Sequence, residues 1–203
     1  MKKLSFFFLL FVCFFGQSQT VEIFDRGIYK SYFSILLKEP LYVVYELYEG
    51  GGDCDRSAFH FKPSNVSAKD ADYEGSGYDK GHLANAEDFA FDCKKDEETF
   101  EYINCLPQTP KLNRGKWKIW ERIIRDESWL YHLLIVCGGI FEGRTIGDGV
   151  AVPSYCWKIV YNEDDDYAIL HCFICPNDNS NTCEEITLYQ LERKLGYELK
   201  LPK

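Results

Sequence analysis

Apolar and polar positions alternate in part over Leu41–Glu46, Leu133–Ile140, Val150–Tyr161 and Tyr167–Ile174, runs rich in Val, Ile, Tyr and Cys. Such runs predict strands, and together they suggest a largely antiparallel sheet. Two helices show the longer period. In the first, Trp117, Trp120 and Ile124 form one apolar stripe behind Asn113, which reads as the N-cap. The last carries Leu188, Leu191 and Leu195 ahead of Gly196, with Thr182 and Glu185 reading as its capping box. Segments 50–53, 63–78 and 176–182 hold Gly, Ser, Asn and Pro and read as loops. No repeat or long linker interrupts the chain from residue 20 onward, so residues 19–203 are expected to form one domain.

Residues 1–18 stand apart. Lys2 and Lys3 precede the apolar run Leu4–Phe15, and Gly16-Gln17-Ser18 offers small residues where a signal peptidase reads them. A cleaved export signal is expected, leading to a periplasmic or extracellular protein. The run falls well short of the roughly 20 residues that span a bilayer as a helix, so no stable membrane span is expected. A lipoprotein would need a small residue before Cys13, and Val12 stands there.

The formal charge of −9 becomes two units more negative without that segment. An acidic chain is an awkward partner for phosphate, but at physiological salt charges beyond about 8 Å are largely screened, so distribution matters more than the sum. Lys111, Arg114, Lys116, Lys118, Arg122 and Arg125 stand together against Glu121 alone, while acids gather at Asp96–Glu98 with Glu101 and at Glu163–Asp166. Of the nine cysteines, Cys13 lies in the leader; an even number then remains, which in an exported chain favours disulfides. Most of the eight are expected to pair, with Cys175–Cys183 the favoured local bridge closing the loop before the last helix. The competing reading, zinc held by His171, Cys172, Cys175 and Cys183, lacks the second pair of a zinc ribbon.

Tyr78-Asp79-Lys80-Gly81-His82-Leu83-Ala84 places an acid, a base, a glycine and a histidine in one short stretch. Phosphodiester hydrolysis needs a proton acceptor for water, and a neutral imidazole suits that task near neutral pH. Taken alone, a histidine beside a glycine is more often structural. A second cluster stands about thirty residues on, with Asn104, Gln108, Asn113, Glu121 and Arg125 at fixed offsets. Its bland reading is a capped amphipathic helix with a solvated basic face.

The two clusters together resemble the sugar-nonspecific DNA/RNA endonuclease family, ββα-metal (His-Me finger) nucleases of the endonuclease G type. The family pattern runs roughly Tyr-x-Gly-Ser-Gly-Tyr-Asp-Arg-Gly-His-Leu-Ala-Pro, then Asn-x-x-Pro-Gln, then Leu-Asn-x-Gly-x-Trp-x-x-x-Glu-x-x-x-Arg. Here stand Tyr73, Gly75-Ser76-Gly77-Tyr78-Asp79-Lys80-Gly81-His82-Leu83-Ala84, then Asn104 to Gln108, then Leu112-Asn113, Gly115, Trp117, Glu121 and Arg125. The likeness continues through Gly138-Gly139-Ile140-Phe141, Val152-Pro153, Trp157-Lys158-Ile159-Val160 and Leu191-Glu192-Arg193 to Gly196.

The resemblance implies an α+β fold whose central, mostly antiparallel sheet carries a ββα-metal finger, with His82 on a strand and Asn113 leading into the helix. It implies cleavage of DNA and RNA without sequence preference, leaving 5′-phosphate ends. His82 would be the general base, Asn113 the one direct protein ligand of a Mg²⁺ (or Mn²⁺) that keeps its waters, and Glu121 an orienter of those waters. Residues eight apart rise about 12 Å along a helix, so Glu121 would reach the site either only through waters or because Asn113 lies before the helix proper, and the second is favoured. Asn104 and Gln108 would hold the metal loop; Asp79 would support the site; Arg125 would face phosphate or pair with Glu121; Arg56 would stabilise the charged phosphate. Lys80 stands where the family has arginine and loses the planar fork, and Asn85 replaces a proline, freeing the backbone after the histidine.

His60 and His171 fall in expected strands and His132 near a strand start, where structural roles are commoner. Trp117, Trp120, Trp129 and Trp157 are expected to pack in the core rather than stack on bases. DNA and RNA are the expected partners, with a homodimer and an inhibitor protein as further candidates. The rival from another class is a catalytically inactive nucleic-acid-binding or surface protein that keeps the fold.

Overall fold

Nine strands and five α-helices succeed one another along residues 20–199, the part of the chain that the computed structural model describes. In chain order they are β1 (Val21–Asp25), β2 (Lys30–Ser34), β3 (Glu39–Leu47), α1 (Asp70–Tyr73), β4 (Asp79–His82), α2 (Cys93–Glu98), β5 (Cys105–Gln108), α3 (Pro110–Leu112), α4 (Lys118–Glu127), β6 (Leu133–Ile146), β7 (Val150–Asn162), β8 (Ala168–Pro176), β9 (Glu184–Glu185) and α5 (Leu188–Leu195). The expected export signal lies outside the described residues. Among these residues no helix is long and apolar enough to cross a membrane.

Seven strands form one sheet in the order β1-β2-β3-β6-β7-β8-β9, with every neighbouring pair antiparallel. The four strands expected from the pattern are its centre. Both faces of that centre are covered, which is why β6 and β7 read as nearly continuous apolar runs. On one face Ile135, Cys137, Cys156, Val160 and Phe173 meet Leu83, Leu106, Leu112, Trp117 and Ile124. On the other, Leu134, Val136, Trp157, Ile159 and Ile174 meet Leu191, flanked by Leu188 and Leu195 of α5. The last helix thus closes the core, as its leucine spacing predicted.

Its cap differs from the expectation. Glu184–Glu185 pairs with β8, so Thr182 and Glu185 precede the helix, and Thr187 with Gln190 forms the capping box. Trp117 and Trp157 are fully buried and Trp120 stacks on Phe173 at 4.4 Å, but Trp129 is exposed, its indole N–H donating to Gly50 O at 3.1 Å. His60 lies in loop rather than strand.

Two disulfides are present, Cys175–Cys183 as expected and Cys54–Cys93; Cys105, Cys137, Cys156 and Cys172 are free and buried. Half of the eight are therefore paired, not most, because the other four point into apolar packing. With Cys175 and Cys183 joined, the zinc reading falls, and no group of three or more His, Cys, Asp or Glu among the described residues could hold a metal. The second bridge closes a loop with a sequence separation of 39, worth about 4 kcal/mol in the chain-entropy model. Unfolded without reductant, residues 20–199 should titrate four thiols; eight would exclude both bridges.

Glu39 is fully buried, and among the described residues only the Tyr73 hydroxyl comes near enough to favour its charged form. Burial, reinforced by Asp72, pushes its carboxyl well above the ordinary value. A carboxyl raised in the fold contributes stability that is full below its unfolded value and is lost as pH rises through the folded one. Glu39→Gln should therefore gain stability relative to wild type between pH 4 and pH 8, read as a growing difference in Tm. A difference independent of pH would contradict a buried, neutral Glu39.

Candidate active site

β4 and β5 pair antiparallel outside the large sheet, with Asp79 opposite Gln108 and His82 opposite Cys105. The chain then turns through α3 into α4, giving a strand–strand–helix unit seated on the first core face. Gly81 lets the strands close up, since a Cβ there would stand 2.1 Å from Gln108 Oε1. Beyond His82 the pairing is continued by Asn104: Oδ1 accepts from Ala84 N–H and Nδ2 donates to Ala84 O, both at 2.9 Å, while Leu83 N–H donates to Asn104 O at 2.9 Å. Asn104 thus holds the backbone after the histidine rather than the turn at Asn113. Gln108 packs against Gly81.

The turn at Asn113 is held by asparagines that sequence reading missed. Asn177 accepts from Thr109 N–H at 2.8 Å and donates to Pro107 O and Pro153 O at 2.8 and 2.9 Å. Asn181 accepts from Lys116 N–H at 2.7 Å. Thr109, not Asn113, is the N-cap: its hydroxyl accepts from Leu112 N–H at 3.3 Å and Pro110 fills the first helical position. Asn113 has helical backbone angles. The helix then breaks at Gly115 (φ −110°, ψ −113°), where a Cβ would stand 2.3 Å from Asn181 Oδ1, and α4 begins at Lys118. Asn113 therefore does precede the main helix, though not as its cap.

The break brings Asn113 and Glu121 to one cleft of about 720 Å³, lined also by Arg56, His82, Asn85, Phe100, Arg114, Lys118, Arg122 and Arg125. His82 lies against Phe61 and Phe100, with ring centroids 4.8 and 4.7 Å away, and its Nε2 makes no hydrogen bond with the described residues. Burial first and the Arg56 guanidinium second push its imidazole down to about 3. The ring is therefore neutral near neutral pH, and in this state it is a weaker base than a free imidazole.

Arg56 is held by Asp96 at 2.7 Å and Glu87 at 2.6 Å, and Cys54–Cys93 ties its loop to α2. Asp96, placed with the remote acids on sequence, is thus a buried anchor of the cleft. Asp79 takes Arg114 through both oxygens, at 2.6 and 2.8 Å, and accepts from Asn113 Nδ2 at 3.0 Å. Although burial opposes it, those bonds from Arg114 and Asn113 hold the Asp79 carboxyl below its ordinary value. Its contact also fixes the Asn113 amide, so that the nitrogen faces Asp79 and the carbonyl oxygen is left for another partner.

Three expected roles change. Arg125 pairs with Asp88 at 2.9 Å and donates to Asn85 Oδ1 at 3.1 Å, not to Glu121. Asn85 does not loosen the backbone: Oδ1 also accepts from Glu87 N–H at 2.8 Å, capping the short 3₁₀ turn Ala86–Phe89. Lys80 does not line the cleft; Asp70 holds its ammonium, with the rings of Tyr102 and Phe61 at 5.2 and 5.4 Å. Glu121 is buried on the cleft wall, and burial raises its carboxyl to about 7 against the pull of Lys158 and Asn85.

Comparison with known proteins agrees with this geometry. The profile of the family described as DNA/RNA non-specific endonuclease matches residues 15–200. Mitochondrial endonuclease G of Bos taurus is 31% identical over 185 residues, covering 80% of this chain and 62% of the relative. Mitochondrial nuclease EXOG of Homo sapiens is 30% identical over 163 residues, covering 69% and 44%. The chain spans about half the length of the curated relatives it matches. Among solved structures, endonuclease G in its complex with EndoGI superposes with a TM-score of 0.77 at 24% identity, covering 86% of this chain and 83% of that one, which establishes the shared fold. A finger that presents an unpartnered histidine and an oriented asparagine to one basic cleft, on a sheet of this topology, is thus joined to a match along nearly the whole sequence, and the chain belongs to the DNA/RNA non-specific endonuclease family.

Proposed function

We propose that this protein is an exported, divalent-metal-dependent endonuclease that hydrolyses internal phosphodiester bonds of DNA and RNA without sequence preference, leaving 5′-phosphate ends. The observation that carries the reading is His82 Nε2, unpartnered on a cleft wall shared with Arg56 and Asn113. Absence of sequence preference follows from a cleft whose cations can contact phosphates, since such contacts carry no base information.

The residues fit a hard cation. Asn113 has one carbonyl oxygen to offer because its nitrogen is committed to Asp79, and a site with a single amide ligand suits Mg²⁺ or Mn²⁺, which retain water and take substrate oxygens. When bound, the ion would supply positive charge to the phosphate and to the leaving oxygen. His82 would take the proton of the attacking water. Burial depresses the imidazole first and the Arg56 charge second, and an incoming phosphate would offset the second of these. Arg56, fixed by two carboxylates, would neutralise charge developing on the phosphate, and Glu121 would order water at the cleft wall. Arg114, Lys118 and Arg122 would meet flanking phosphates.

Export by residues 1–18 is supported by two disulfides, which persist in oxidising compartments. A dedicated inhibitor protein is a candidate partner because the solved endonuclease G was captured with one, and a homodimer is a further candidate assembly. The rival, an inactive homologue that only binds nucleic acid, is disfavoured by a base and an amide held ready in one cleft. The test is a panel of double-stranded DNA, single-stranded DNA and RNA digested under one buffer with Mg²⁺, with end-labelling of the products. Cleavage of all three with 5′-phosphate ends is expected; binding without cleavage would establish the rival.

A further inference from the structure

β7 sends alternate side chains to opposite faces, and among Cys156, Lys158 and Val160, on the face that receives the finger, one is a lysine. Lys158 is 1% exposed, its Nζ has no hydrogen-bond partner among the described residues, and the ammonium sits 4.9 Å from the centroid of the Trp117 ring. From the opposite side, Trp117, Glu121 and Ile124 occupy one helical stripe at the spacing that buries a helix, and Trp117 and Ile124 belong to that core. A cation from the sheet and a carboxyl from the helix therefore enter the same apolar seam.

The charges facing Glu121 can be assigned in pairs. Asp88, in the 3₁₀ turn, and Arg125, one turn along α4, are bound to each other at 2.9 Å, and Asp88 also accepts from the Tyr45 hydroxyl of β3 at 2.9 Å. The Cys137 thiol of β6 and the Asn85 amide are neutral neighbours. Lys158 is the cation without a bound partner, and its charge reaches the Asp88 carboxyl and the Cys137 thiol as well as Glu121. It makes no ion pair within 4 Å among the described residues, so it acts through the low-dielectric seam rather than by contact.

We propose that Lys158 is a positioning residue for the proposed hydrolysis: its trapped ammonium favours the carboxylate form of Glu121 without forming a salt bridge to its oxygens. A direct salt bridge would ionise the carboxyl but occupy it; a buried charge one layer behind does the first without the second. Burial alone would drive Glu121 towards its neutral form, and Lys158 is the foremost group opposing that. The role rests on the nuclease reading of the cleft, whereas the charge coupling beneath it does not.

The experiment compares wild type, Lys158→Met, Lys158→Arg, Glu121→Gln and the Lys158→Met/Glu121→Gln double variant. Plasmid nicking in Mg²⁺ is followed against pH. Lys158→Met should move the acidic limb upward by about one pH unit, a roughly tenfold loss on the limb, while Lys158→Arg keeps the limb in place. Urea denaturation at pH 8, without metal or substrate, reads the coupling independently of activity. There Lys158→Met should lower the midpoint in wild type, by stranding a buried carboxylate, and should lower it less in Glu121→Gln, where Asp88 is the buried carboxylate that remains. An unmoved limb, or additive urea midpoints, overturns the proposal. A wild type that does not cleave removes the positioning role and the nuclease reading with it, even where the urea cycle shows coupling.

Discussion

His82→Ala is expected to lose about 10²–10⁴ in cleavage rate, the usual contribution of a positioned general base. That loss corresponds to about 3–5 kcal/mol of barrier. The fold should survive, because Nε2 serves no partner among the described residues and its removal orphans no buried group there. What is lost structurally is packing against Phe61 and Phe100 on a cleft wall that is already open to solvent. Substrate affinity should hardly change, since Arg56, Lys118 and Arg122 are untouched. Circular dichroism and DNA binding measured in chelator check both points. A purified, folded His82→Ala protein with full activity would remove the histidine from the chemistry.

Asn113→Ala is expected to lose a comparable amount, about 10²–10⁴, because the charge a metal lends to phosphate and leaving oxygen is worth several kcal/mol and His82 cannot replace it. The substitution is mild for the fold. Position 113 has helical backbone angles that alanine favours, and Asp79 keeps its two bonds from Arg114. Raising Mg²⁺ should recover part of the activity if the loss lies in affinity, and none if the ion's position is wrong. A variant with normal rate at low metal would exclude Asn113 as the ligand. Asp79→Asn offers an independent view of the same geometry: it weakens the contact that orients the amide and should cost less than removing the amide itself.

The central strands and the closing helix were legible in the sequence because each is a local signal, whereas the residues of the cleft were marked by the family resemblance. β6, β7 and β8 are long apolar runs, and the stretch from Asp79 to Ala84 carries its chemistry in consecutive letters. What was not legible depends on contacts between distant residues. β4 and β5 hold four residues each, too short for periodicity, and β1 is an exposed edge with few buried positions to reveal it. Asn113 looked like an N-cap, but Thr109-Pro110 was the better local signal, and the break at Gly115 depends on Asn181 more than sixty residues away. The same holds for Asn104, whose amide could have held either of two neighbouring segments and clamps Ala84.

Charge pairing was the least legible of all. Arg56 stood in a loosely matching segment, and only the fold shows Asp96 and Glu87 fixing it beside His82. Lys80 carried the expected positive charge at the expected place in the motif, yet Asp70 draws it away from the cleft. Asn85 read as a lost proline and proves to cap a turn and hold Arg125. Lys158 stood in the sequence only as one residue of the family likeness Trp157-Lys158-Ile159-Val160. Its meaning comes from Glu121 across the seam, a relation that neither segment displays alone.

The proposed metal-dependent hydrolysis at this cleft is tested most directly by nicking of supercoiled plasmid with the purified protein, run side by side in Mg²⁺ and in chelator. Relaxed and then linear DNA is expected in Mg²⁺ and intact supercoils in chelator, with activity returning when Mg²⁺ is restored in excess. Equal cleavage in chelator, or none in either Mg²⁺ or Mn²⁺ by a folded protein, would contradict it.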